Sequence, residues 1–313
     1  MSLDKSYLEK FIRVTESAAY GASSHIGKGD KNAADKGAVD KMRSELNKID
    51  MIGTVVIGEG EMDEAPMLYV GEKVGTKKGS KIDIALDPLE GTNFTASNLP
   101  GAFTVLAAAE KGNLLSAPDT YMEKIVIGSN LPKNLLDLDN PIEMNISLLA
   151  EAKNKKTSEL SACVLKRPRH KKIIEVLNKL KMKINFITDG DVAGALSVVG
   201  KQPKNDIYLG IGGGPEGVIT AAALSCYGGQ IQGRLVLDKE EAVKAKRLGI
   251  NDLNKKYVLD EMIKGDVIFC ASGVTNSDLV KGILVSDNQY RVSTLVLHKS
   301  QNIKKTVINT YYR

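Results

Sequence analysis

Asp87, Glu90 and Thr92 stand together in the stretch LDPLEGT, residues 86–92, directly after the strand-like run KIDIA. Two carboxylates confined to one small volume repel each other, so their pairing calls for a positive group between them. Thr92 adds a hydroxyl beside them. Pro88 fixes the backbone just after Asp87, and Gly91 permits a tight turn whose amides could hold a phosphate. Oxygen donors without His or Cys suit hard cations, Mg²⁺ or Mn²⁺, rather than zinc, and the chain has 3 His in all.

Two more acidic clusters share the first half of the chain, GKGDKNAAD (27–35) and GEGEMDEAP (58–66). A lone acidic turn is ordinarily a helix N-cap or a solvated loop. Several at adjacent strand ends would instead converge on one crevice, where α/β sheets place their ligands. In the second half, GIGGGPEG (210–217) invites comparison with a dinucleotide fingerprint, but Pro215 stands where the third glycine belongs. Glu216 then reads either as a ligand at a helix N-terminus or as an ordinary complement to the helix dipole. KRPRH (166–170) sets Arg167 and Arg169 on either side of Pro168, before a helix whose dipole they oppose, which favours an anion and most naturally a phosphate.

The elements that must position these residues follow from periodicity. Helical patterns cover about 3–20 and 34–49, and TVVIGEG, KIDIALDP, FTVLAAAE and KIVIG read as strands ending in turn residues. From Ser161 the pattern restarts: SACVL as a strand, KKIIEVLNKLK as a helix, INFITDGD as a strand and AGALSVVG as a helix. DIYLGIGGGPEGVITAAALSCYGG then supplies a strand, a glycine turn and a helix. Such alternation predicts a layered α/β chain, and the polar, turn-rich stretch between Asn130 and Ser161 divides it into units 1–155 and 156–313.

Composition narrows the function classes. The 313 residues carry 43 basic and 38 acidic side chains, a formal charge of +5, with no basic block interleaved with aromatics, which argues against a nucleic-acid binder. The N-terminus lacks the apolar core of a signal peptide, and no run of apolar residues approaches membrane-spanning length. Cys163, Cys226 and Cys270 lie in apolar stretches, as reduced core thiols of a soluble cytoplasmic protein would.

Taken together, GKGDKNAAD, VVIGEGEMDEAPM, DPLEGT, RPRH, TDGDVAG and GIGGGPEG resemble the class II fructose-1,6-bisphosphatases of bacteria, in order over residues 10–240. DPLEGT alone marks only the wider superfamily of lithium-sensitive sugar and inositol phosphatases, whose usual version has Asp in place of Glu90. GEGE followed by DEAPM narrows it to class II. The resemblance implies a two-domain layered α/β/α/β/α sugar-phosphatase fold and hydrolysis of the 1-phosphate of fructose 1,6-bisphosphate with Mn²⁺ or Mg²⁺. It places metal ligands on Asp35, Glu59, Asp87, Glu90 and Glu216, with the Leu89 carbonyl as a further donor by superfamily analogy. Thr92 becomes the catalytic hydroxyl, relayed to Glu59 or Glu61. Sugar-phosphate contacts fall on Tyr121, Arg167, Arg169, Asp189 and Asp191, with Lys28 and Asp30 in the matching N-terminal loop and Gly91 at the phosphate turn. One departure is visible: Arg167 stands where the family more often has Lys, which keeps the charge and changes its shape.

The expected partner is a small-molecule sugar bisphosphate, with the chain a homo-oligomer and neither nucleic acid nor membrane involved. Rival readings are a phosphatase of the same superfamily acting on sedoheptulose 1,7-bisphosphate or inositol monophosphate, and a non-catalytic phosphosugar-binding regulator. The regulator would need the anion site but not the acidic turn or Thr92.

Overall fold

The charged, apolar-striped N-terminus folds as α1 (Ser6–Ser23), with Phe11, Val14, Ala18 and Ala22 fully buried along one face. The computed structural model describes residues 3–58 and 68–313. Helix α2 (Lys31–Leu46) begins before the expected residue 34 because the Asp30 carboxylate accepts the Ala33 N–H at 2.9 Å and caps it. The two helices approach closely where Gly21 faces Gly37, since a Cβ on either would collide with the other's carbonyl oxygen. There follow β1 (Met51–Ile57), β2 (Lys73–Val74), β3 (Ser80–Glu90), α3 (Thr92–Ala96) and β4 (Phe103–Glu110).

The middle of the chain forms β5 (Tyr121–Ile127), α4 (Ile142–Ala152), β6 (Ser161–Leu165), α5 (Lys171–Lys179), β7 (Lys183–Ile187) and α6 (Asp191–Leu196). Next come β8 (Ile207–Gly213), α7 (Gly214–Tyr227), β9 (Gln230–Val236), α8 (Lys239–Arg247), β10 (Lys256–Val258) and α9 (Leu259–Met262). The chain ends in β11 (Val267–Gly273), β12 (Leu284–Val285), β13 (Gln289–His298) and β14 (Ile303–Tyr312).

Among the described residues the strands make two sheets, so the class is mixed α/β, as expected. One sheet runs β12-β13-β11-β4-β3-β1-β2 with β14 beside β13, and the other runs β10-β9-β5-β8-β6-β7. The chain divides into two compact units, Met1–Asp119 with Ile263–Arg313, and Thr120–Met262. That differs from the expected cut between 155 and 156, which falls within the second unit, between α4 and β6. The last strands return to the first unit because β11 pairs antiparallel with β4 from Val267↔Ala109 to Gly273↔Phe103, a contact no local pattern announces.

In the first unit, Phe11, Val14, Met42 and Leu46 meet Ile82, Ile84, Leu86, Leu89, Ile268, Cys270, Val292 and Val296 in one apolar core. Fully burying each larger side chain contributes roughly 1.5–3 kcal/mol. The three cysteines are buried and unpaired by disulfides, and burial pushes the Cys163 thiol up to about 12, in keeping with inert core thiols.

Asp266 fastens the same unit. Its carboxylate accepts the N–H groups of Leu3, Val267 and Ser300, each at 2.9 Å, the Ser300 hydroxyl at 2.8 Å and the His298 Nε2–H at 2.9 Å. Burial acts to raise its pKa, but the His298 and Ser300 hydrogen bonds outweigh that and hold it below the ordinary carboxylate range. Because the folded pKa is lowered, its stabilisation is present above the unfolded pKa and is lost as pH falls through the folded value. Asp266→Ala is therefore expected to cost more than about 2 kcal/mol at neutral pH, since several charge-assisted hydrogen bonds go at once. Denaturant titrations should show that deficit shrinking in acid; equal stability of variant and wild type at neutral pH would contradict it.

Candidate functional site

The acidic turn is made by an irregularity in β3. Asp87 lies opposite Val105 and Glu90 opposite Phe103, so three steps along β3 match two along β4 and one extra residue is accommodated. In a regular strand, residues three apart point to opposite faces. The bulge reverses that and sets Asp87 and Glu90 on one face while Leu86 and Leu89 both turn into the helix-side core. Pro88, which has no N–H for the ladder, sits at the irregularity. Leu89 N–H donates to Asp87 Oδ1 at 2.8 Å and orients that carboxylate. Asp87 and Glu90 are 8% and 5% exposed, so two acidic groups share a nearly dry face.

Immediately after Glu90, Gly91 takes φ +83°, and Thr92 is the first residue of α3. That sharp turn is where Gly91 is needed: a Cβ there would also press on the Phe94 ring at 2.8 Å. The GKGD loop is strapped to this short helix, with Gly27 N–H donating to Thr95 O and Gly29 N–H to Ala96 O, both at 2.9 Å. Lys28 is thereby carried to the helix that starts with Thr92. Asp30 is employed as the α2 cap, and Asp35 lies one turn further along α2, which packs on α3 and β3. Glu59 and Glu61 lie outside the described residues. Among the described residues, no three His, Cys, Asp or Glu side chains gather as a metal-holding group.

The expected residues of the second half of the chain lie in the other unit. Arg167 caps a single 3-10 turn, Pro168–His170, that leads from β6 into α5. Arg169 Nε donates to Ile211 O at 2.9 Å, and its guanidinium lies 4.7 Å from the centroid of the Tyr121 ring, which is half exposed. His170 is fully buried between the same strands. The Ile211 N–H donates to its Nε2 at 2.8 Å, so Nδ1 carries the proton it gives to Leu165 O at 2.7 Å. His170 thus staples the end of β6 to β8 and holds the arginine turn in register. Sequence reading had only the chemistry of its neighbours to go on.

The glycines of GIGGGPEG are explained by what lies against them. Gly210 takes φ +147° with the His170 ring 3.0 Å from where a Cβ would be, and a Cβ on Gly212 or Gly213 would collide with the Asp191 or the Glu216 carboxylate. Glu216 stands in the first turn of α7. Asp189 accepts the Gly190 N–H at 3.0 Å, and Gly190, at φ +80°, turns the chain into α6 with Asp191 first, much as Gly91 turns it into α3. Asp191 is buried, one carboxylate oxygen taking the Lys124 ammonium and the other the Tyr208 hydroxyl. Lys124 escaped the sequence reading, yet it alternates with Met122 and Val126 on the buried face of β5, a readable signal. Two cavities of about 510 and 520 Å³ elsewhere in this unit, lined around Lys153 and Asp206 and around Ile125 and Leu136, include none of the expected site residues.

Residues 5–311 match a family described as bacterial fructose-1,6-bisphosphatase, glpX-encoded. The chain is 42% identical over 318 residues to the class 2 fructose-1,6-bisphosphatase of Haemophilus influenzae, covering 97% of this chain and 95% of that one. It is equally 42% identical over 312 residues to fructose-1,6-bisphosphatase 1 class 2 of Escherichia coli, covering 95% and 92%. Among solved structures, an inositol monophosphatase from Anabaena aligns with 62% of this chain and 70% of its own at 13% identity, with a TM-score of 0.31. The chain is accordingly a phosphoric monoester hydrolase. The chain belongs to the bacterial fructose-1,6-bisphosphatase family that glpX encodes. That family is metal-dependent. No helix among the described residues is long and apolar enough to cross a membrane.

Proposed function

We propose that this chain hydrolyses the 1-phosphate of fructose 1,6-bisphosphate to fructose 6-phosphate and inorganic phosphate, a step of gluconeogenesis. The observation that carries the reading is the bulge that aligns Asp87 and Glu90 on one face and delivers Thr92 right after them. Two buried carboxylates, oxygen donors themselves, fit a hard divalent cation, Mn²⁺ or Mg²⁺. Asp87 and Glu90 would hold it together with Asp35, Glu59 and Glu216. When bound, the metal supplies Lewis-acid polarisation of the phosphoryl group and a more acidic water.

The chain's own residues supply the rest. Thr92 orients the attacking water and passes its proton toward Glu59 or Glu61, while the Gly91 turn offers amides to the reacting phosphate. Arg167 and Arg169, the latter braced on Ile211 O and Tyr121, grip the phosphate that does not react. Lys28 adds a cation from the loop strapped to α3, and Asp30 and Asp189 shape the loops around the sugar. Sugar bisphosphate is the partner in this reading, the enzyme being a cytoplasmic homo-oligomer without nucleic acid or membrane.

Phosphate release from fructose 1,6-bisphosphate, sedoheptulose 1,7-bisphosphate and inositol monophosphate, with Mn²⁺ and Mg²⁺ in turn, tests it. Turnover should be greatest on fructose 1,6-bisphosphate, vanish after EDTA treatment and return with added metal. Full turnover in EDTA would overturn the metal assignment, and absence of release from every substrate would leave a phosphosugar-binding regulator. Arg169→Ala should raise KM for the bisphosphate by about 10–100-fold, the equivalent of ~1.5–3 kcal/mol for a charge-assisted hydrogen bond. An unchanged KM would return Arg169 to the solvated surface.

A further inference from the structure

Lys124 is 2% exposed in the middle of the second sheet, where its register partners on β8 and β9 are both glycines, Gly210 and Gly233. Its ammonium makes an ion pair with Asp191 and donates to Gly213 O at 2.7 Å, and the second Asp191 oxygen accepts the Tyr208 hydroxyl. A buried ion pair is a poor way to add stability, since removing two charges from water costs about as much as their attraction returns. What such a pair does well is fix a geometry. The Gly213 carbonyl and the Gly214 N–H belong to one peptide bond, and Gly214 N–H donates to Thr120 O at 2.6 Å. That peptide plane is therefore held at both ends, by Lys124 and by the residue preceding β5.

The held peptide opens α7. Glu216 lies in the first turn of that helix with its carboxylate folded against the Cα of Gly213, while the Asp191 carboxylate lies against the Cα of Gly212. Rotating the Gly213–Gly214 peptide would move the point from which Glu216 projects. We propose that Lys124, clamped by Asp191 and Tyr208, is a positioning residue that sets the Glu216 carboxylate for its metal. The inference rests on the reading of Glu216 as a ligand. It gives Asp191 a task inside the protein.

Metal binding without turnover tests it. Mn²⁺ is titrated calorimetrically into metal-free wild type, Lys124→Met, Glu216→Gln and the double variant, with circular dichroism as the fold control. Lys124→Met should weaken Mn²⁺ binding about 10–100-fold, the usual effect of losing a group that orients a ligand. If Lys124 acts through Glu216, the double variant should bind Mn²⁺ no more weakly than Glu216→Gln alone. Losses that multiply, or wild-type affinity in folded Lys124→Met, would overturn the inference and leave Glu216 as a ligand. Wild-type affinity in Glu216→Gln would instead remove Glu216 from the metal site, and the inference with it. Should Lys124→Met fail to fold, Tyr208→Phe, which keeps both charges, decides by the same comparison: a weaker affinity that disappears in the Glu216→Gln background supports the clamp, and an unchanged or independent one refutes it.

Discussion

Asp87→Asn or Glu90→Gln is expected to lower kcat by about 10³-fold or more, because each takes away charge from a site whose metal is worth several kcal/mol in the transition state. Both substitutions keep shape, so the bulge and the packing of Leu86 and Leu89 behind it should persist. The diagnostic is how the stability change depends on metal. Mutual repulsion makes each carboxylate less stabilising without metal than with it, so removing either charge should cost the metal-free protein less melting temperature than it costs the metal-loaded one. The same substitutions should shrink the rise in melting temperature that Mn²⁺ produces in the wild type, since a ligand stabilises only the state that binds it. A structural role predicts otherwise: near-normal kcat with a melting temperature lowered as much in EDTA as with metal.

Thr92→Ala should lose about 10²–10⁴-fold in kcat, the scale of a positioned proton-transfer group. Thr92→Ser should retain much of the rate, with part of it lost to the freer χ1 of serine. The structure sharpens this test. Gly91, and not Thr92, occupies the N-cap of α3, so loss of the Thr92 hydroxyl removes no cap and should leave the unfolding free energy within about 0.5 kcal/mol of wild type. Metal affinity and KM should change little as well, since carboxylates and arginines supply most of the binding. Wild-type kcat in Thr92→Ala would take the hydroxyl out of the mechanism.

Sequence alone determined which chemistry is available and where along the chain it sits. DPLEGT, GKGDKNAAD, RPRH and GIGGGPEG are contiguous, and their residue types declare an acidic, hydroxyl-bearing, anion-binding site without reference to any distant residue. Strand and helix periodicity likewise depends only on near neighbours, so β3, β4, α5 and α7 were legible to within a few residues. The helix after Asp30 could also have been placed correctly, since an Asp followed by helix formers is a cap signal. Glu59 and Glu61 stand on the sequence reading alone.

Tertiary structure decided everything that depends on which strands pair and in what register. Nothing local tells β11 to lie against β4, yet that pairing returns residues 263–313 to the first unit and upsets a boundary drawn from composition. Pro88 marks a break in β3, but nothing local fixes the register on either side of it, and without that one-residue shift the side-chain period of two would send Glu90 into the core and Leu89 out of it. Tyr208 and Asp191 meet Lys124 only because three separate elements pack together, and His170 meets Ile211 only because β6 lies beside β8. A polar side chain's burial can be read from its place in an alternating strand, but the partner that makes the burial tolerable comes from far along the chain, and only the folded sheet supplies it.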